Sequence, residues 1–139
     1  MASKDSNTAP DPVERLELTL DIYGRVISGV MMLLGLRQWA IIIGIINGTG
    51  GVSFEQMPTA WQFATAHLAV VDLVASVGLW QRTAWGNVVW IYAALAEIAM
   101  HTVFIQTFGS NYLIVLLHSA GIVGFAAILL MLRRAAAGD

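Results

Sequence analysis

Four apolar stretches, each long enough to cross a bilayer, dominate this sequence: Val26 to Ile46, Trp61 to Trp80, Val88 to Phe108 and Tyr112 to Leu132. A helix needs about 20 mostly apolar residues to span roughly 30 Å of hydrocarbon. In lipid, backbone polar groups must be satisfied within the spanning structure, so such runs fold as helices or as a closed barrel. None of the four alternates strictly, which argues against barrel strands. The expected fold is all-α, an integral membrane four-helix transmembrane bundle. It forms one domain over residues 13–134, between a disordered cytoplasmic tail (1–12) and a short cytoplasmic tail (135–139).

Charge distribution supports this reading. Only 12% of the 139 residues are charged and the mean hydropathy is +0.72, whereas a soluble domain carries about a quarter charged residues. The net charge is −2, with no basic run beyond Arg133-Arg134, so nothing favours nucleic acid as a partner. Cysteine is absent, which removes disulfides, thiolate metal sites and a cysteine nucleophile. The segment Met1 to Pro12 lacks the basic and apolar regions of a signal peptide.

The connections are short. Gly48-Thr49-Gly50-Gly51 and Pro58 separate the first two stretches, Gln81 to Asn87 forms a polar turn, and Gly109-Ser110-Asn111 forces an antiparallel hairpin. Trp61, Trp80, Trp85 and Tyr112 stand at span ends, where amphipathic rings anchor at the membrane interface. Lys4, Arg15 and Arg25 precede the first span, Arg82 lies between the second and third, and Arg133 and Arg134 follow the fourth. The other two loops carry no lysine or arginine. The positive-inside rule therefore puts both termini and the Arg82 turn in the cytoplasm. The lead-in from Val13 to Tyr23 is amphipathic, with Leu16, Leu20 and Tyr23 on one face, and is read as an anchor along the inner headgroups. Asp21 and Arg25 have the spacing of a helical ion pair.

Inside the spans lie six ionisable residues: Arg37, His67, Asp72, Glu97, His101 and His118. Each costs roughly 2.5–3.5 kcal/mol at a helix centre on insertion scales, so such residues are rarely idle. Counted inward from the expected outer span ends, the three histidines lie roughly 10 Å deep, Arg37 about 13 Å, and Asp72 and Glu97 about 16 Å. A polar cluster of Arg37, Asp72, Glu97 and His101 is expected. In its plainest form it is an ion pair in which Arg37 neutralises a carboxylate, and the histidines bond carbonyls and serines such as Ser76 and Ser119.

Three functional readings are open. The first is a non-enzymatic accessory or scaffold protein, packing against itself or a larger membrane complex and needing no cofactor. The second is a redox protein in which His67, His101 and His118 hold haem b or a divalent metal. The third is an oligomeric proton-linked small-solute transporter using Glu97 and Asp72. No phosphate-cradling glycine loop or nucleophile–base set is present, which disfavours hydrolases and nucleotide-binding enzymes.

The stretch Val77-Gly78-Leu79-Trp80-Gln81-Arg82-Thr83-Ala84-Trp85-Gly86 resembles the hairpin between spans two and three of many small bacterial four-span proteins. The overall plan loosely resembles the DoxX-like group, and more closely an alphaproteobacterial family of unknown function with about this length. The resemblance implies a bacterial inner-membrane location and transfers no catalytic residue.

Overall fold

The computed structural model describes residues 11–138, which are helical apart from the connections, with no strand among them. The expected disordered tail falls largely on residues 1–10, outside the described residues. Helix α1 runs over Pro12–Ile42, α2 over Thr59–Trp80, α3 over Ala84–Thr102, a one-turn α4 over Ile105–Phe108, and α5 over Tyr112–Ala137. Two 3₁₀ turns, Thr49–Gly51 and Phe54–Gln56, occupy the loop between α1 and α2.

Helix α1 absorbs the amphipathic lead-in. Pro12 sits in its first turn, where a missing N–H costs nothing, and Glu14 complements the helix dipole. It stops at Ile42, short of Ile46, because Gly44 enters the left-handed region at φ +78. The third apolar run is also shorter than its composition suggests. Helix α3 ends at Thr102; the Phe104 N–H reaches back to the Ala99 carbonyl, and α4 completes the run to Phe108. At the other end of the molecule α5 continues through Ala137, so part of the expected C-terminal tail is helical.

Side-chain caps mark two helix starts. Thr83 Oγ1 accepts from the Gly86 N–H and opens α3, and Asn111 Oδ1 accepts from the Ile114 N–H and opens α5. The turn from α2 to α3 is tight enough that Gly78 and Gly86 meet backbone to backbone. A Cβ on Gly86 would lie 2.2 Å from the Gly78 carbonyl carbon.

Helix α1 packs on α2, α2 on α3, α3 on α5, and α5 back on α1. Met31, Ala75, Leu79, Trp90 and Ala93 form the core between them, with Tyr23, Ile27 and Phe125 against it. Three helices, α1, α2 and α5, are long and apolar enough to cross a membrane. Helix α3 falls below that threshold because its 19 residues include Asn87, Glu97 and His101. In α2, 50% of the most apolar window is buried within the protein; in α5 only 6% is. Leu113, Leu116, Leu117, Val123 and Leu130 of α5 all face outward. So much exposed aliphatic surface on a helix of this length needs an apolar solvent, which makes this a membrane protein.

Candidate functional site

Asp72 is 0% exposed, in the middle of α2, and neither of its carboxyl oxygens has a hydrogen-bond partner. It is covered by α1 at Gly35, where a Cβ would stand 2.8 Å from Leu73 Cγ and 3.2 Å from Asp72 Cβ. The glycine lets the backbone of α1 close over the carboxyl. Glu97 of α3 and His118 of α5 are near enough for both charges to act on Asp72. These two pair directly, with His118 Nε2 at 3.3 Å from Glu97 Oε2, and both are buried. Three helices thus contribute two carboxyls and one imidazole to one buried neighbourhood, in which only Glu97 and His118 pair directly.

His101 belongs to the same neighbourhood by a different route. It lies one turn beyond Glu97 on α3, and its Nδ1 is 2.9 Å from the Glu97 backbone oxygen. A carbonyl only accepts, so Nδ1 carries the hydrogen, and in the neutral ring Nε2 is left as an acceptor.

Above the cluster, a cavity of about 530 Å³ opens between the α1–α2 loop and the α3–α5 connection. Arg37, Gln38, Thr65, Glu97 and His101 line its walls, and Ser110 and Asn111 lie at its mouth. Glu97 borders the cavity and also pairs with His118, so it links the open space to the buried imidazole.

Arg37 does not fill the role expected of it. It is exposed, lines the cavity, and forms no ion pair among the described residues. His118 takes its place as the partner of Glu97. The meeting of Glu97 with His118 follows from helix length. Counted from the actual end of α3 at Thr102, Glu97 is about 8 Å deep, and His118 is about 9 Å from the start of α5 at Tyr112. Extending the third span to Phe108 had set Glu97 too deep to meet it. Nor do the polar contacts go to the expected serines: Ser76 pairs with Ser28, each hydroxyl donating to the other's carbonyl at 2.8 Å.

The three histidines do not converge. His67 is turned to the far side of α2, where its Nε2 shares a 3.0 Å hydrogen bond with the Tyr92 hydroxyl and its ring lies parallel to Phe63. It lines a separate, almost wholly apolar groove with Phe63, Ala96 and Phe104. Among the described residues, no three His, Asp or Glu side chains are grouped to hold one metal ion.

The aromatic residues at helix ends divide in the same manner. Trp80, Trp85 and Tyr112 are exposed. Trp61 instead turns inward: its Nε1 donates to the Thr107 carbonyl at 3.1 Å, its ring packs edge-on against Phe108, and it borders the cavity. Gln38 and Thr65 are cavity residues that the sequence does not single out, while Ser110 and Asn111 stand out there only as part of a turn. Their only signal was polarity near one end of an apolar run, which loop ends share. Asp21 meets Arg82 at 2.6 Å rather than Arg25, and Arg25 lies over the Trp80 ring at 5.6 Å.

Two comparisons are negative: no curated protein and no solved structure matches this chain. A family model does match, over residues 18–136, and on that match the chain belongs to DUF6163, a family of unknown function.

Proposed function

We propose that this chain is a four-span protein of the bacterial inner membrane whose Asp72–Glu97–His118 cluster exchanges protons with the outward-facing cavity, in support of movement or sensing of a small polar solute. The supporting observation is the Asp72 carboxyl, fully buried with both oxygens unpartnered. A purely structural pair or an accessory role would favour satisfied groups, because a buried polar atom without a partner costs about 1–3 kcal/mol. An ionisable group kept at that cost, beside a carboxylate–imidazole pair, has the composition of a proton relay.

The membrane arrangement rests on several features. Helix α3 is about 28 Å long and packs between two apolar helices, so Glu97 and His101 face protein and it crosses with its neighbours. The Asp21–Arg82 pair and the Arg25–Trp80 contact hold the start of α1 against the α2–α3 turn at one end. Arg15, Arg25, Arg82, Arg133 and Arg134 all belong to that end, which the positive-inside rule makes cytoplasmic, with both termini. The cavity then opens outward. Exposed Trp80, Trp85 and Tyr112 suit an interfacial belt. A transport role would draw on a second copy packed through the apolar faces.

Infrared difference spectroscopy of the protein in liposomes, stepped across the neutral pH range, tests the relay. A carboxylic-acid C=O band should appear and vanish with pH and be lost in Asp72→Asn or Glu97→Gln. A spectrum that these substitutions leave unchanged would end the proton-exchange reading.

A further inference from the structure

The relay reading leaves Arg37 without a task. Arg37 lines the cavity, about 8 Å from the end of α1 at Ile42. A cation at membrane depth is expensive without an anion, and the described residues offer it none: Glu97 is taken by His118 and Asp21 by Arg82. The guanidinium fork matches a carboxylate with two parallel hydrogen bonds. Gln38 is its neighbour on the same helix, while Thr65 faces the cavity from α2 and Ser110 and Asn111 from the α3–α5 connection. Uncharged polar residues from three elements therefore line the same cavity as one cation. A volume of about 530 Å³ lies within the range for small-molecule sites.

We infer that the cavity is a binding site for a small organic carboxylate anion, its charge held by Arg37 and its polar substituents by Gln38, Thr65, Ser110 and Asn111. Binding itself is independent of the relay reading; only the coupling of binding to protons rests on it. An anion seated beside the cluster favours proton uptake there, and by linkage a protonated cluster favours the anion.

A lipid phosphate reaching Arg37 from the outer leaflet is the other anion with matching chemistry. The position of Arg37 in a cavity that also carries Gln38, Thr65, Ser110 and Asn111 favours the free solute. The test is isothermal titration calorimetry on the full chain in nanodiscs of zwitterionic lipid. The titrants are lactate, its uncharged amide, and inorganic phosphate, each run in two buffers of different ionisation enthalpy.

Lactate should bind and lactamide should not. Arg37→Gln should weaken lactate at least about tenfold, which is about 1.4 kcal/mol, while Arg37→Lys retains part of the affinity. Equal binding of lactate and lactamide, no lactate binding at all, or an unchanged affinity in Arg37→Gln would overturn the inference. So would an Arg37-dependent preference for phosphate over lactate, which points to a headgroup site. A buffer-dependent enthalpy reports proton uptake. Lactate binding without it would support the carboxylate site and count against the relay. Absent lactate binding with the Asp72-dependent infrared band intact would remove the carboxylate site alone.

Discussion

The two ends of this molecule are built on opposite principles. At the arginine-rich end, polar groups are paired and backbones touch. Ser28 and Ser76 exchange two hydrogen bonds, Tyr23 donates to the Gly121 carbonyl at 2.6 Å, Gly78 lies on Gly86, and Asp21 reaches Arg82. At the loop-rich end the helices part around a cavity, Arg37 has no ion pair among the described residues, and the Asp72 carboxyl lies between the two regions without a partner. Small residues make the difference. Glycine and serine at crossing points let helices approach closely where lipid supplies no hydrophobic drive between them, and the larger Met57, Trp61 and Phe108 line the cavity at the other end. A closed base beneath an open mouth is a geometry in which solute and protons have access from one side.

Substitutions break this contrast in a definite order. Gly86→Ala should have the largest effect, because its Cβ meets Gly78 backbone that cannot give way. A loss of about 3 kcal/mol is expected, read as unfolding in mixed detergent micelles. Asp72→Val should move the other way. It removes both orphan oxygens with little change of shape, so stability should rise by about 2 kcal/mol while proton exchange disappears. A loss of stability there would mean that the carboxyl has a structural partner. Ser28→Ala deletes one bond of the reciprocal pair and should cost about 1 kcal/mol in the same assay. Arg82→Ala should cost least, about 0.5 kcal/mol, because the Asp21 pair is half exposed at the arginine. Its positive φ of 57 favours Arg82→Gly over alanine at this turn. Should the alanine variant cost more than Ser28→Ala, the turn rather than the helix contact would be holding the base together.

The helices were legible in the sequence because lipid-length apolar runs and glycine turns are local signals. The family match adds that the chain belongs with others of the same unassigned kind. The partnerships among buried polar residues were not legible, and Glu97 shows why. Its spacing to His101 is visible on one helix, but its meeting with His118 depends on where α3 ends. That end is set by the break at Val103 and Phe104, where no glycine or proline marks a turn. His67 fails differently. It stands five residues before Asp72, about 140° away around α2, and the structure pairs it there with Tyr92. Arg37 was found as a residue but given the wrong neighbour, since depth alone says nothing about azimuth around a helix. Gly35 over Asp72 is a helpful signal of another kind: a glycine at a helix crossing marks where a neighbour comes close.

The absence of cysteine from the natural chain makes the central claim directly measurable. A single Thr65→Cys on the cavity wall and a single Gln81→Cys in the α2–α3 turn would be exposed, in oriented membrane vesicles, to a small membrane-impermeant thiol reagent. Thr65→Cys should react only when the reagent is added from the outer face, and Gln81→Cys only from the cytoplasmic face. Reaction of both from one face, or a Thr65→Cys that stays unreactive from either side while Gln81→Cys is labelled, would contradict an outward-opening cavity above a closed base.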